Sequence, residues 1–223
     1  MSQTFRPRLD ILPPAQRRLW PELAALPSSC VLYGGTAIAL HLGHRDSVDF
    51  DFFLPHAIDP RQLLETLPLL DGCTVSQIEP DTLSVSVDRD GPIKLSFFGV
   101  PRLGRVSRPV TAEDHGLAVA DLLDLGGAKV SVVQVRAEPK DYIDVAALNA
   151  AGVTLSQMLS AGTVMYGDAF APQAALKALC YFDDPLLSSL SVAVKDRLIS
   201  AVRGVDLATL PDLDPVAPRQ GRS

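Results

Sequence analysis

Two aspartates, Asp49 and Asp51, stand two residues apart in the segment SVDFDFFL, where polar and apolar residues alternate. On a β-strand, residues i and i+2 point to the same face, so these two carboxylates project together. Phe50 and Phe52 then point to the opposite face, where we expect the core. Carboxylates at this spacing repel each other unless a cation lies between them. Mg²⁺, or Mn²⁺ in its place, suits such a pair because it accepts carboxylate oxygens and keeps other positions for water and phosphates.

A pair of glycines precedes the aspartates. Gly34 and Gly35 follow the short β-type run CVLY and lead into TAIALHLGHR, which has helical spacing and in which Thr36 is the predicted N-cap. Glycines before a helix let backbone N–H groups approach phosphate oxygens, and the helix N-terminus favours negative charge. A D-x-D pair alone is more often two solvated aspartates, but the glycine pair upstream favours a site for a triphosphate.

The run YGGTAIALHLGHRDSVDFDFF resembles the first motif of the nucleotidyltransferase superfamily, and in detail that of the AbiEii/AbiGii toxin family. Arg45, Ser47 and Phe53 belong to this match, beside the glycines and aspartates. A second stretch, DLGGAKVSVVQVRAEPKDYIDV, resembles a later motif of the same family. The residues of this second match are Asp124, Lys129, Arg136, Lys140, Asp141, Tyr142 and Asp144.

The resemblance implies roles for the residues of the first motif. Asp49 and Asp51 would bind the divalent metal and, through it, the triphosphate of an NTP. Arg45 would either meet a phosphate or pair with Asp46 at the surface. The implied nucleotide-binding residues are Gly34, Gly35, Thr36, Arg45 and Ser47.

In the second motif, Lys129 is the implied cation for the nucleotide phosphates, since lysine acts as a compact point charge. Asp141 and Asp144 stand three residues apart on a predicted helix and therefore face roughly the same way. They could orient Lys129 or Arg136, or help to activate the acceptor hydroxyl. They could also belong to a salt-bridge network that holds two helices together.

The family resemblance implies an enzyme that moves a nucleotide from an NTP to an acceptor and releases pyrophosphate. The implied acceptor is RNA, with the 3′ end of tRNA as one candidate, and the implied protein partner is a cognate antitoxin. Ser96, in IKLSFF, departs from the pattern because many nucleotidyltransferases place a third carboxylate there. A catalytically degenerate binding protein of the same fold is therefore the alternative.

Strand patterns concentrate in the first 100 residues and helical patterns in the rest, which predicts an α+β protein. The resemblance implies a nucleotidyltransferase fold, with a small mixed β-sheet flanked by helices and followed by a helical C-terminal half. DTLSVSVDRDGPIKLSFFGV predicts a β-hairpin, and one helix is predicted from 118 to 137. The predicted domains are a catalytic core with an N-terminal helix at 1–110, a helical region completing the active site at 111–208, and a disordered tail at 209–223.

Composition and charge agree with a cytoplasmic globular protein. The chain has 223 residues, of which 47% are hydrophobic and 21% charged, enough for a sizeable core. No apolar run approaches the ~20 residues that cross a bilayer, so no membrane association is predicted. The net charge of −6 argues against a protein that coats nucleic acid, which needs clustered Lys and Arg. The three cysteines are far apart and predict no disulfide framework.

Overall fold

The alternating segments form strands because their apolar residues recur at every second position and bury one face. In this computed structural model, which describes residues 3–216, eight strands join in one mixed sheet of order β1-β7-β8-β2-β3-β6-β5-β4. The strands are β1 (Thr4–Phe5), β2 (Val31–Tyr33), β3 (Phe50–Leu54), β4 (Thr74–Glu79), β5 (Thr82–Asp88), β6 (Pro92–Gly99), β7 (Val110–Ala112) and β8 (Ala118–Val119).

The chain forms two compact units. The first, residues 3–103 and 109–120, contains the sheet and three helices: α1 (Pro14–Leu19), α2 (Gly34–Leu42) and α3 (Pro60–Thr66). The second, residues 104–108 and 121–216, is helical. Its helices are α4 (Leu122–Val133), α5 (Pro139–Ala150), α6 (Leu155–Tyr166), α7 (Pro172–Cys180) and α8 (Val192–Arg203).

The predicted α+β class and the helical C-terminal half are confirmed. The domain boundaries after residues 110 and 208 stay predictions. Of the predicted tail, residues 217–223 lie outside the part of the chain that the structure describes. None of the helices within residues 3–216 is long and apolar enough to cross a membrane.

Strand β3 is an inner strand that runs antiparallel to β2 and parallel to β6. Its residue Asp51 pairs with Tyr33 on one side and with Ser96 on the other. Phe50 and Phe52 have 0% exposure, so the face opposite Asp51 is the packed one. The alternation in the sequence therefore predicts correctly which side of β3 enters the core.

The predicted hairpin is confirmed, since β5 pairs antiparallel with β6 from Thr82 to Asp88. The helix predicted from 118 to 137 is wrong at both ends. Ala118–Val119 form β8, which pairs in parallel with β2, and α4 begins only at Leu122 and ends at Val133. Asp121 sets the start of this helix, because its side chain accepts a hydrogen bond from the Leu123 N–H at 2.9 Å.

Two glycines let α4 and α6 pack closely. A Cβ on Gly127 would lie 2.9 Å from the carbonyl carbon of Ala161, and a Cβ on Gly126 would lie 2.7 Å from the Met158 side chain. Both distances are too short for real packing, so only residues without a side chain fit there. The GG of the second motif therefore brings two helices together, and α4 carries Lys129.

Candidate active site

The two aspartates of the first motif lie at the beginning of β3. Asp51 is the second residue of the strand, whereas Asp49 stands one residue before it. Both are half-buried, while Phe50 between them is fully buried. The alternation within β3 places the Asp51 carboxylate on the side of the strand away from the packed phenylalanines, and the same burial pattern continues back to Asp49.

Gly34 lies directly against Asp51. Its φ is +74°, in the left-handed region that residues with a Cβ rarely adopt. A Cβ on Gly34 would lie 2.6 Å from Asp51 Oδ2, far inside van der Waals contact. The backbone at the start of α2 can approach the carboxylate this closely only because residue 34 has no side chain. Gly35 follows in the first turn of α2, the helix end that favours negative charge.

We predict that Gly34→Ala displaces the Asp51 carboxylate and lowers catalytic turnover about 100-fold, as expected for a shift of about 1 Å in a site. Gly72→Ala is a matched control, because Gly72 has a φ of +72° and open space where its Cβ would stand. Both variants should lose about 1 kcal/mol of stability from the unfavourable φ. Thermal unfolding and a turnover assay on both variants separate the two effects. Equal activity of the two variants would contradict the assigned contact.

The hydroxyls of Thr36 and Ser47 hold the loop before β3. Thr36 Oγ1 is hydrogen-bonded to the Asp49 carbonyl oxygen and lies 2.8 Å from Ser47 Oγ. A carbonyl only accepts, so Thr36 donates to it and Ser47 donates to Thr36. The prediction that Thr36 caps α2 is wrong: the helix begins at Gly34, and Thr36 is buried at 1% exposure. Both hydroxyls therefore position the chain around Asp49 in this arrangement.

Arg45, for which the sequence left two possibilities open, donates from Nη1 to the backbone oxygen of Asp46 at 2.9 Å. This contact lies in the bend before β3, and the phosphate contact of Arg45 stays a prediction.

Ser96 occupies the position on β6 that is level with Asp51. It is buried at 2% exposure, and its Oγ lies 3.2 Å from Ser84 Oγ on the neighbouring strand β5. The position that could carry a third carboxylate thus holds a hydroxyl that is bonded to another hydroxyl. Aromatic rings continue this face of the sheet, since Phe53 stacks on Tyr33 at 4.5 Å between ring centroids.

Lys129 lies in a buried charge cluster of the helical unit. Its Nζ is 2.7 Å from Asp141 Oδ1 and 2.8 Å from Asp144 Oδ2. Both carboxylates have 0% exposure, and Lys129 has 6%. Arg136 donates from Nε to Asp141 Oδ2 at 2.8 Å, so two cations face two carboxylates.

This cluster controls the protonation of Asp141. Burial alone would raise the pKa of Asp141, but the hydrogen bond from Arg136 and the charge and hydrogen bond of Lys129 outweigh burial. The pKa of Asp141 is therefore lowered from its usual value. The carboxylate stays ionised near neutral pH, and it is a weak base.

Asp124, another residue of the second motif, holds a loop of the same unit through hydrogen bonds. It is buried at 1% exposure, and its Oδ1 accepts hydrogen bonds from the N–H groups of Val106 and Ser107 at 2.9 and 3.1 Å. The motif match identifies this residue, but its partners in the loop could not be read from the sequence.

The donor set of Asp49 and Asp51 fits Mg²⁺. Among residues 3–216, no group of three or more His, Cys, Asp and Glu side chains is placed to hold a metal ion. Mg²⁺ does not require such a group, because proteins commonly hold it with one or two carboxylates while waters and substrate phosphates complete its shell.

A mixed sheet with a glycine turn against a D-x-D strand, followed by helices, defines the class of nucleotidyltransferases. The family model described as nucleotidyl transferase AbiEii toxin, type IV toxin–antitoxin system, matches residues 18–177. The chain belongs to this family of nucleotidyl transferases. The family resemblance stated from the two motifs is thereby confirmed.

Known proteins agree with this assignment at the level of the fold. MenT4, a nucleotidyltransferase toxin of Mycobacterium tuberculosis, is similar with a TM-score of 0.60 and 15% identity, over 86% of this chain and 84% of that one. A protein of H. pylori assigned as a nucleotidyltransferase gives a TM-score of 0.51 and 17% identity, over 84% and 90%.

In sequence, an uncharacterized protein of Aquifex aeolicus is 31% identical over 115 residues. That match covers 51% of this chain and 54% of the relative, so the chain spans about half the length of this relative.

Proposed function

We propose that this protein transfers a nucleotide from an NTP to an RNA acceptor with the help of Mg²⁺ or Mn²⁺, and that a cognate antitoxin neutralises it. One observation carries the proposal: the carboxylate of Asp51 lies against the backbone of Gly34 at the N-terminal end of α2. This arrangement puts anionic metal ligands beside a helix end that attracts phosphate oxygens. The family, described as the toxin of a type IV toxin–antitoxin system, supports the antitoxin. The RNA acceptor, with the 3′ end of tRNA as one candidate, follows from the motif resemblance.

In the proposed reaction, the oxygen of the acceptor hydroxyl forms a bond to the α-phosphorus of the NTP. The bond from that phosphorus to the oxygen bridging to the β-phosphate breaks, pyrophosphate leaves, and the hydroxyl proton passes to solvent. Bound Mg²⁺ would neutralise the charge on the phosphates and on the leaving pyrophosphate. Asp49 and Asp51 would hold the ion, and the N–H groups of Gly34 and Gly35 would orient the phosphate oxygens.

We assign Lys129 to the nucleotide phosphates and Asp141 and Asp144 to holding its ammonium group. An ammonium has three N–H donors, and Asp141 and Asp144 account for two of them. The third donor would meet a phosphate oxygen. Asp141 is a poor general base because its pKa is lowered, which favours a positioning role over proton abstraction.

A second candidate function is a binding protein that keeps the fold without turnover. The observation in its favour is Ser96, which places a hydroxyl level with Asp51 where many nucleotidyltransferases supply a carboxylate. In this function, nucleotide would bind to the protein and remain unchanged.

Incubation of the purified protein with total RNA, Mg²⁺ and each α-labelled NTP in turn tests the proposal. We expect label in RNA from at least one nucleotide, and no label when EDTA replaces Mg²⁺. Nucleotide binding without label in any RNA would favour the second candidate. Transfer that persists in EDTA would contradict the metal dependence.

A further inference from the structure

Asp49 is held less directly by the sheet than Asp51 is. Asp51 lies inside β3 and pairs with residues on both neighbouring strands, whereas Asp49 precedes the first residue of β3. The next residue back, Val48, is 50% exposed and so packs little. The position of the Asp49 carboxylate therefore depends on what holds the backbone around it.

Two side chains hold the carbonyl groups on either side of that backbone. Gln16 donates from Nε2 to the Val48 carbonyl oxygen at 3.0 Å, and Thr36 donates to the Asp49 carbonyl oxygen. Gln16 is buried at 5% exposure, so its amide is shielded from water and a lost partner would be costly. Consecutive peptide groups are thus fixed from two different helices, α1 and α2.

The segment that carries Gln16 is itself held by buried contacts, one of them to Phe50 of β3. Leu19 and Trp20, at the end of α1 and just after it, have 0% and 2% exposure. The Trp20 ring lies 6.4 Å from the ring of Phe50, the residue between the two aspartates, and its indole N–H donates to Asp114 Oδ2 at 2.7 Å. Gln16 therefore belongs to a segment that buried side chains hold in place.

We propose that Gln16 is a positioning residue of the active site, which places Asp49 for binding the divalent cation. Gln16 lies before the residues 18–177 that match the family, so the family assignment does not include it. The proposal rests on the proposed function, because it requires that Asp49 and Asp51 bind the cation. Groups that orient metal ligands typically change metal affinity about 10- to 100-fold when they are removed.

The test is Mn²⁺ binding to the full-length protein, measured from the loss of the EPR signal of free Mn²⁺. Gln16→Met keeps the length of the side chain and removes the donor, and Gln16→Leu is a second variant should the first not fold. We expect about 10-fold weaker Mn²⁺ binding in either variant. Gln134→Met is the matched control, because that glutamine also bonds backbone groups, those of Ala169 and Ala171, and should bind Mn²⁺ like the wild type.

The outcomes separate the role of Gln16 from the metal site itself. Wild-type binding that is lost in Asp51→Asn but unchanged in both Gln16 variants would overturn the role of Gln16 and leave the metal site intact. If the wild type bound no Mn²⁺, or Asp51→Asn bound it equally, the proposed metal site would fail and the role of Gln16 with it.

Discussion

Asp51→Asn is expected to lower nucleotidyl transfer about 1000-fold or more while the protein remains folded. The asparagine keeps the shape of the side chain but removes the negative charge that the proposed site offers to the cation. Charge stabilisation by a bound metal contributes several kcal/mol to such reactions, and about 4 kcal/mol corresponds to three powers of ten in rate. The rate of label transfer to RNA measures the loss, and circular dichroism checks the fold.

Asp46→Asn is the control for this prediction. It makes the same chemical change in the loop before β3, at a carboxylate that is exposed and not assigned to the site. Its transfer rate should stay within about twofold of the wild type, since screening by solvent and salt weakens exposed charges. A comparable loss of transfer rate in both variants would indicate a general effect of charge and would contradict a specific role of Asp51 as a metal ligand.

Asp141→Asn is expected to destabilise the protein by about 3–5 kcal/mol, because it leaves Lys129 and Arg136 facing one buried carboxylate in place of two. For a chain of this size, that loss corresponds to a fall in Tm of about 6–20 °C. The lowered pKa of Asp141 adds a dependence on pH. Its ionised form stabilises the fold fully above the unfolded-state pKa of about 4, and this contribution is lost as the pH falls through the lower folded-state value.

Urea unfolding of wild type and Asp141→Asn at pH 7 and at pH 3 measures both effects. The difference in the free energy of unfolding between the two proteins should be smaller at pH 3 than at pH 7. Glu138→Gln is the control, because the Glu138 side chain is 39% exposed and its ion pairs, with Lys140 at 3.0 Å and with Arg136 at 3.4 Å, join side chains that are 50% and 45% exposed. Such surface pairs contribute about 0–1 kcal/mol. If Asp141→Asn lowered the free energy of unfolding no more than Glu138→Gln does, the buried cluster would not be a major source of stability.

Side chains on a strand alternate between its two faces, and this alternation is why the face on which Asp51 lies could be predicted. Alternation with Phe50 and Phe52 needs no knowledge of distant parts of the chain, and the hairpin of β5 and β6 follows from equally local signals. The match of two motifs implies the family and with it the nucleotidyltransferase fold, while the α+β class follows from where strand and helix patterns lie along the chain. Local pattern and family motif agree in this region of the molecule.

Long-range contacts explain what could not be predicted. β8 has two residues and exists because β2 and β7 pair with it, which no local pattern in HGLAVADLL can indicate. Gln16 stands 32 positions before Val48 along the chain, and an isolated glutamine in a short helix carries no functional signal. The partners of Lys129 were candidates from the motif, but their burial depends on how the helices pack.

Crystals grown with Mn²⁺ and a non-hydrolysable NTP analogue would test the central claim most directly, through the anomalous scattering of manganese. We expect an anomalous peak in contact with carboxylate oxygens of both Asp49 and Asp51, with the triphosphate beside Gly34 and Gly35. A peak elsewhere, or a triphosphate bound away from these aspartates, would contradict the assignment of the site.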